Sequence, residues 1–136
     1  VVGVDGRYAS VAGMCIGDEW FGDPELDIPP WRDTGVEVTG PAAAVVDRAF
    51  ARAWREAGSM LPLEEIPDPH MVERAGDVSI RVVEGEPGRS RIYRLSQFVA
   101  VGVEHRLWIT DPYFVTPPAM TEALAAAARD GVDVRI

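Results

Sequence analysis

Apolar and polar positions alternate through residues 1–4 and again through 8–14, on either side of Asp5-Gly6-Arg7. Asp-Gly tolerates positive φ, so this alternation predicts a β-hairpin. The stretch IGDEWFGDPELDIPPWRDT (16–34) is irregular, dense in Gly, Pro and acidic residues. GVEVTG (35–40) alternates again and predicts a strand. Gly40-Pro41 then opens a helix, with Pro at a first position where its missing N–H costs nothing. Val45, Val46, Ala49, Phe50, Ala53 and Trp54 form one stripe at helical spacing, and Gly58 supplies the stop. Residues 60–76 carry three prolines and no clean period, which reads as a linker. A strand is predicted at VSIRVVEG (78–85), then a loop at EPGRS. A helix follows from about Arg91 to Glu104, carrying Ile92, Leu95, Phe98, Val99 and Val103. RLWITDPYF (106–114) reads as a strand with Trp108 and Ile109 in the core. Pro117 opens an alanine-rich helix ending at Asp130-Gly131, and VDVRI (132–136) is a further strand. The strand–helix–strand order over 106–136 predicts a βαβ unit with parallel pairing. The expected class is therefore α/β, and both ends read as lying within strands.

Composition narrows this picture. With 136 residues, 47% of them hydrophobic, the chain can bury a sizeable core. No apolar run is long enough for a membrane span and no leader is visible, so a cytoplasmic setting is expected. A lone Cys15 excludes an internal disulfide and fits a reducing compartment. The net charge of −9 does not favour a phosphate backbone, so no nucleic-acid partner is expected. The 13 Lys+Arg residues are all Arg, which leaves no Lys here to act as base, Schiff-base former or phosphate ligand. Asp18, Glu19, Asp23, Glu25 and Asp27 crowd one loop but lack the Gly and closing Glu of a calcium loop, so a solvated acidic loop and no metal are expected. The Gly3–Gly6 run is no dinucleotide fingerprint, because no helix follows it.

Several stretches together resemble the phospholipase D superfamily, in its bacterial cardiolipin synthase-like branch. That family carries HxKxxxxD, followed after six residues by a Gly-Gly or Gly-Ser element ending in Asn. Asp5 matches the motif Asp, with Val1–Val4 before it, and Ala12-Gly13-Met14-Cys15 stands in the place of the Gly-Gly-x-Asn element. IGDEWFGD (16–23) and PPWRDTGVEVTGPA (29–42) look like the stretch after the first motif. RLWITDPYFVTP (106–117) and EALAAAARDGVDVRI (122–136) resemble the start of the second half. On this resemblance the motif Lys falls immediately before Val1, the His two residues earlier, and the second motif beyond Ile136. The chain would then be an interior fragment: 1–59 the end of one lobe, 60–76 a linker, and 77–136 the start of a second, pseudo-symmetric lobe of an α-β-α sandwich.

The resemblance implies phosphodiester chemistry on phospholipids, with an alcohol or water as acceptor and no cofactor. One His would attack phosphorus to give a phosphohistidine and the other serve as acid and then base, with membrane association of the full-length protein on its cytoplasmic side. An acidic residue some thirty positions after the motif His would orient that imidazole, and Asp33 falls in this range. Its alternative is an Asp paired with Arg32 or holding its loop. Asp5 reads equally as a turn residue. Gly13 is a tight-packing position or a substrate contact. Cys15 departs from the family pattern, since a thiol cannot present an amide N–H; a buried, inert Cys is the competing reading. Tyr113 and Phe114 follow a strand's C-terminal end, where α/β sheets place ligands, and read as substrate contacts or as core and rim. His70 and His105 lie outside any HxK context and are expected at the surface. Without the HxK pairs, this chain alone is expected to be inactive, and its unpaired sheet edges to drive self-association. Two further functions stay open: a non-catalytic α/β interaction domain that keeps the fold, or a phosphodiesterase acting on nucleic acid.

Overall fold

The computed structural model describes residues 1–15, 17–86 and 88–136. The chain divides into two compact units, Val1–Val82 and Val83–Ile136. It is mixed α/β, with three helices and two small sheets among the described residues.

In the first unit, strands β1 (Val2–Val4), β2 (Tyr8–Ala12) and β3 (Gly35–Thr39) form an antiparallel sheet in that order. The β1–β2 turn is the one that Asp5-Gly6 predicts. Both residues take left-handed conformations, φ 53° and 64°, and the Arg7 N–H donates to the Val4 carbonyl at 3.0 Å. In the register, Val2 pairs with Ser10, Gly3 with Ala9 and Ala12 with Gly35. Because side chains alternate along a strand, Gly3, Ala9 and Val38 share one face. Helix α1 (Pro41–Ala57) lies on that face, and Ala9, Val38, Ala43 and Val46 form the core between them. Small residues on both sides allow the close approach. Gly40 starts the helix at φ 77°, where a Cβ would stand 3.0 Å from the Ala75 backbone nitrogen, so no other residue fits there without strain. The helical stripe seen in the sequence is only half used. Val46 is buried, whereas Phe50 and Trp54, whose rings lie 5.6 Å apart, are exposed.

In the second unit, β4 (Arg106–Trp108) and β5 (Asp133–Arg135) pair in parallel, joined by α3 (Pro118–Arg129), as the βαβ reading requires. Helix α2 (Arg91–Gly102) packs on α3 through Ala100, Met120 and Leu124, with Tyr93, Leu107, Phe114 and Val134 around them.

Three sequence expectations are corrected. No strand forms over 78–85; that segment is irregular, and Val78 and Ile80 are exposed. Its alternation is genuine, but a strand exists only through a partner, and no described strand pairs with it. The expected 106–114 strand is three residues long, Arg106–Trp108, and pairs residue for residue with β5. The α2 stripe does not face inward: Ile92, Leu95, Phe98 and Val99 are exposed, and Ala100 is the contact with α3. A small residue lets two helices approach, which the large side chains would prevent.

Candidate active site

The register brings three chain segments to one end of the first sheet. There β1 starts, β2 finishes and β3 starts, since Val2 pairs with Ser10 and Ala12 with Gly35. Gly13 follows β2 and Asp33 precedes β3, so the antiparallel pairing sets them side by side. A Cβ built on Gly13 would stand 2.6 and 2.7 Å from the two Asp33 carboxylate oxygens. The glycine makes room for the carboxylate. Asp33 Oδ1 also accepts the Thr34 N–H at 2.9 Å, a local bond that holds the χ1 torsion. Among the described residues no ion pair joins Asp33 to Arg32, so the carboxylate is not spent on that neighbour.

The acidic stretch beside it folds on its own backbone. Asp23 and Ile28 exchange two main-chain bonds, 2.8 and 2.9 Å, and the Asp23 carboxylate accepts from Glu25 and Leu26. Trp20 and Trp31 meet edge to face at 5.3 Å, and the Trp31 N–H donates to the Glu19 carbonyl at 2.9 Å. The loop is thereby tied back to the segment that leads into Asp33. Among the described residues no group of His, Cys, Asp and Glu side chains could hold a metal ion. Cys15 is not buried, as the inert-Cys reading expects, but exposed, because it lies past the end of β2 with no described core residue over it; its thiol donates to the Gly13 carbonyl at 3.5 Å. Asp5 sits in the left-handed turn, at the far end of β1 from Asp33.

Whole-length similarity accompanies this geometry. Cardiolipin synthase A of Pseudomonas syringae pv. syringae (strain B728a) is 37% identical over 138 aligned residues, covering 100% of this chain and 28% of that protein. Cardiolipin synthase A of Pseudomonas aeruginosa (strain LESB58) is 36% identical over 137 residues. The protein of the same name from Pseudomonas putida (strain F1) is 35% identical over 138. Cardiolipin synthase A is a phospholipase D superfamily member. The chain belongs to the phospholipase D superfamily. It spans 28% of the length of the first of these curated relatives. No protein-family profile matches it, and no solved structure does.

The remaining sequence candidates of this phospholipase D superfamily chain lie in its second unit or in the 60–76 segment. Tyr113 is 81% exposed, its N–H donating to Asp111 Oδ1 at 2.9 Å, while Phe114 packs on the α2–α3 core. His70 and His105 are exposed, as their sequence context suggests. Trp108 departs from its expected place in the core and is 54% exposed. It lies on the open face of the β4–β5 pair, between the guanidinium groups of Arg106 and Arg135 at 4.6 and 4.9 Å, and its indole N–H donates to Asp133 at 3.1 Å. The hydrogen bond from Arg135 holds the Asp133 carboxyl below its ordinary range. The registers Arg106–Asp133 and Trp108–Arg135 place all four on one face, a grouping visible only once β4 and β5 pair. A second residue missed in the sequence is Asp47. Its signal was a carboxylate one residue after Val46, inside the apolar run of α1. No described helix is long and apolar enough to cross a membrane.

Proposed function

We propose that this chain is the part of a cardiolipin synthase-like phospholipase D enzyme lying between its two HxKxxxxD motifs, within an α-β-α sandwich of two pseudo-symmetric lobes. The complete protein transfers phosphatidyl groups between alcohols, or to water, through a phosphohistidine. In the first step a His nitrogen forms a bond to phosphorus as the bond to the leaving alcohol oxygen breaks, and that oxygen takes a proton from the second His. In the second step the acceptor alcohol gives its proton to that second His while its oxygen replaces the histidine nitrogen on phosphorus. The observation that carries this reading is the Asp33 carboxylate seated against Gly13, at the sheet end where β1 starts. An imidazole there needs an acceptor on its second nitrogen, to fix the tautomer and stabilise the imidazolium. The 35–37% identity to proteins named cardiolipin synthase A supports a phospholipid as substrate. In this reading Asp5 shapes the motif turn, and Gly13 and Cys15 border the phosphoryl group.

The test is turnover of phosphatidylglycerol vesicles by the complete protein, with cardiolipin and glycerol measured as products. Cleavage of DNA with phosphatidylglycerol untouched would overturn the lipid assignment. No turnover of either would favour the non-catalytic domain. The 136-residue chain alone contains no HxK pair and is expected to release no nitrophenol from model phosphodiesters. It is also expected to associate. Its accessible surface is 11134 Å², against ~8,400 Å² for two separate globules divided after Val82. Exposed Phe50 and Trp54 and the open edge of β1 are the surfaces that would pair. Sedimentation at high concentration should show dimers or larger species; a single monomeric boundary would contradict this.

A further inference from the structure

We propose that Asp47 is a positioning residue for the phosphodiester chemistry, holding strand β1 in place from helix α1. This rests on the functional reading above, since β1 leads out of the site. The geometry is specific. The Gly6 N–H in the hairpin turn donates to Asp47 Oδ2 at 3.0 Å, across 41 residues of sequence. Asp47 Oδ1 lies against Gly3 in the middle of β1, in the space that a side chain on Gly3 would need. One carboxylate thus engages both ends of the segment Gly3–Gly6.

Two further contacts make this a clamp. A Cβ on Gly6 would stand 2.6 Å from the Pro67 Cβ, so the turn is held between α1 and the 60–76 segment. The next residue, Arg7, accepts the Gly40 N–H through its carbonyl at 3.0 Å, at the very start of α1. Among the described strands β1 pairs with β2, and the Asp47 contacts add a second hold from the helix side. A half-buried carboxylate on the sheet side of α1 costs desolvation, where a Val or Leu would cost none. Here that cost is offset by a charge-assisted bond to a backbone donor, stronger than a neutral one. The absence of a side chain at Gly3 completes the fit. Catalytic groups must be held to within about 0.5 Å, and a carboxylate that engages both Gly3 and Gly6 fixes the strand that leads out of the site.

The experiment uses the complete enzyme and two readouts. In amide exchange of the segment around Val4–Tyr8, Gly3→Ala should lower protection at least 10-fold in the wild-type background. In an Asp47→Ala background, where the added methyl meets no carboxylate, it should lower it less than 3-fold. For catalysis, Asp47→Leu should lower kcat 10- to 100-fold with KM within 3-fold. Asp47→Asn, which keeps an acceptor oxygen, should recover most of that loss. Val46→Ala, a core truncation, serves as the stability control. Equal exchange effects of Gly3→Ala in both backgrounds would overturn the clamp. A kcat loss in Val46→Ala as large as in Asp47→Leu at matched stability would overturn the positioning role. If the wild-type enzyme turned over no phosphodiester, the functional reading and the positioning role would fall together, while the exchange result alone would still decide the clamp.

Discussion

Asp33→Asn in the complete enzyme is expected to lower kcat by about 100-fold or more, roughly 3 kcal/mol in the barrier, with the melting temperature unchanged. The substitution preserves shape and one acceptor oxygen, so the bond from the Thr34 N–H at 2.9 Å can persist and the loop keeps its form. What changes is charge. An amide cannot stabilise an imidazolium, and it can present a donor where an acceptor is needed, which stabilises the wrong tautomer. If Asp33 served only its loop, Asn would be nearly neutral, because Asn fills Asx-type turns as readily as Asp. Single-turnover kinetics separate the two outcomes. Unchanged chemistry with normal folding would remove Asp33 from the site. Gly13→Ala offers an independent approach to the same carboxylate, since its methyl would stand 2.6 Å from an Asp33 oxygen and displace it without changing any charge.

Gly6→Ala is expected to destabilise the first unit by ~2–5 kcal/mol. A left-handed conformation costs an L-residue about 1–2 kcal/mol, and Gly6 stands at φ 64°. The added methyl would also lie 2.6 Å from the Pro67 Cβ and 3.0 Å from its Cγ, and overpacking of this kind adds about 1–3 kcal/mol. Gly131 separates the two terms. It has φ 95° with nothing within 4 Å of a Cβ, so Gly131→Ala should show the backbone cost alone. Chemical denaturation, followed by exchange in each unit, reads both variants. Equal losses would mean that Pro67 does not press on the turn. Against a typical domain stability of about 5–15 kcal/mol, the expected loss is large enough to resolve.

Both predictions depend on contacts between segments far apart in the chain, and that is where sequence reading stopped. The hairpin at Asp5-Gly6 was legible because positive φ is a property of those two residues in their own backbone. The spans of α1 and α3 were legible because Pro, Gly and a 3.6-residue period are local signals. The β4–α3–β5 order was legible because a strand that feeds a helix and then another strand has few places to go. The family was legible in the order and spacing of short stretches, none distinctive alone.

Tertiary structure decided the rest. Alternation over 78–85 satisfied every local requirement of a strand, yet none formed, because a ladder needs a second chain segment and the sequence does not say where that segment is. Apolar stripes on α1 and α2 predicted helices correctly but not which parts would be covered. Phe50 and Phe98 are exposed, while Ala43 and Ala100 are buried, because coverage depends on what lies opposite. Asp33 could be named from the sequence as a candidate, but its seat against Gly13, twenty residues away, follows from the pairing of Ala12 with Gly35. Asp47 was invisible as anything but a polar interruption of a helix. Its partners are the backbone of Gly3 and Gly6, and only the packing of α1 on the sheet brings a carboxylate to them. Local conformational preference is written residue by residue; the meeting of distant groups depends on the whole fold's packing.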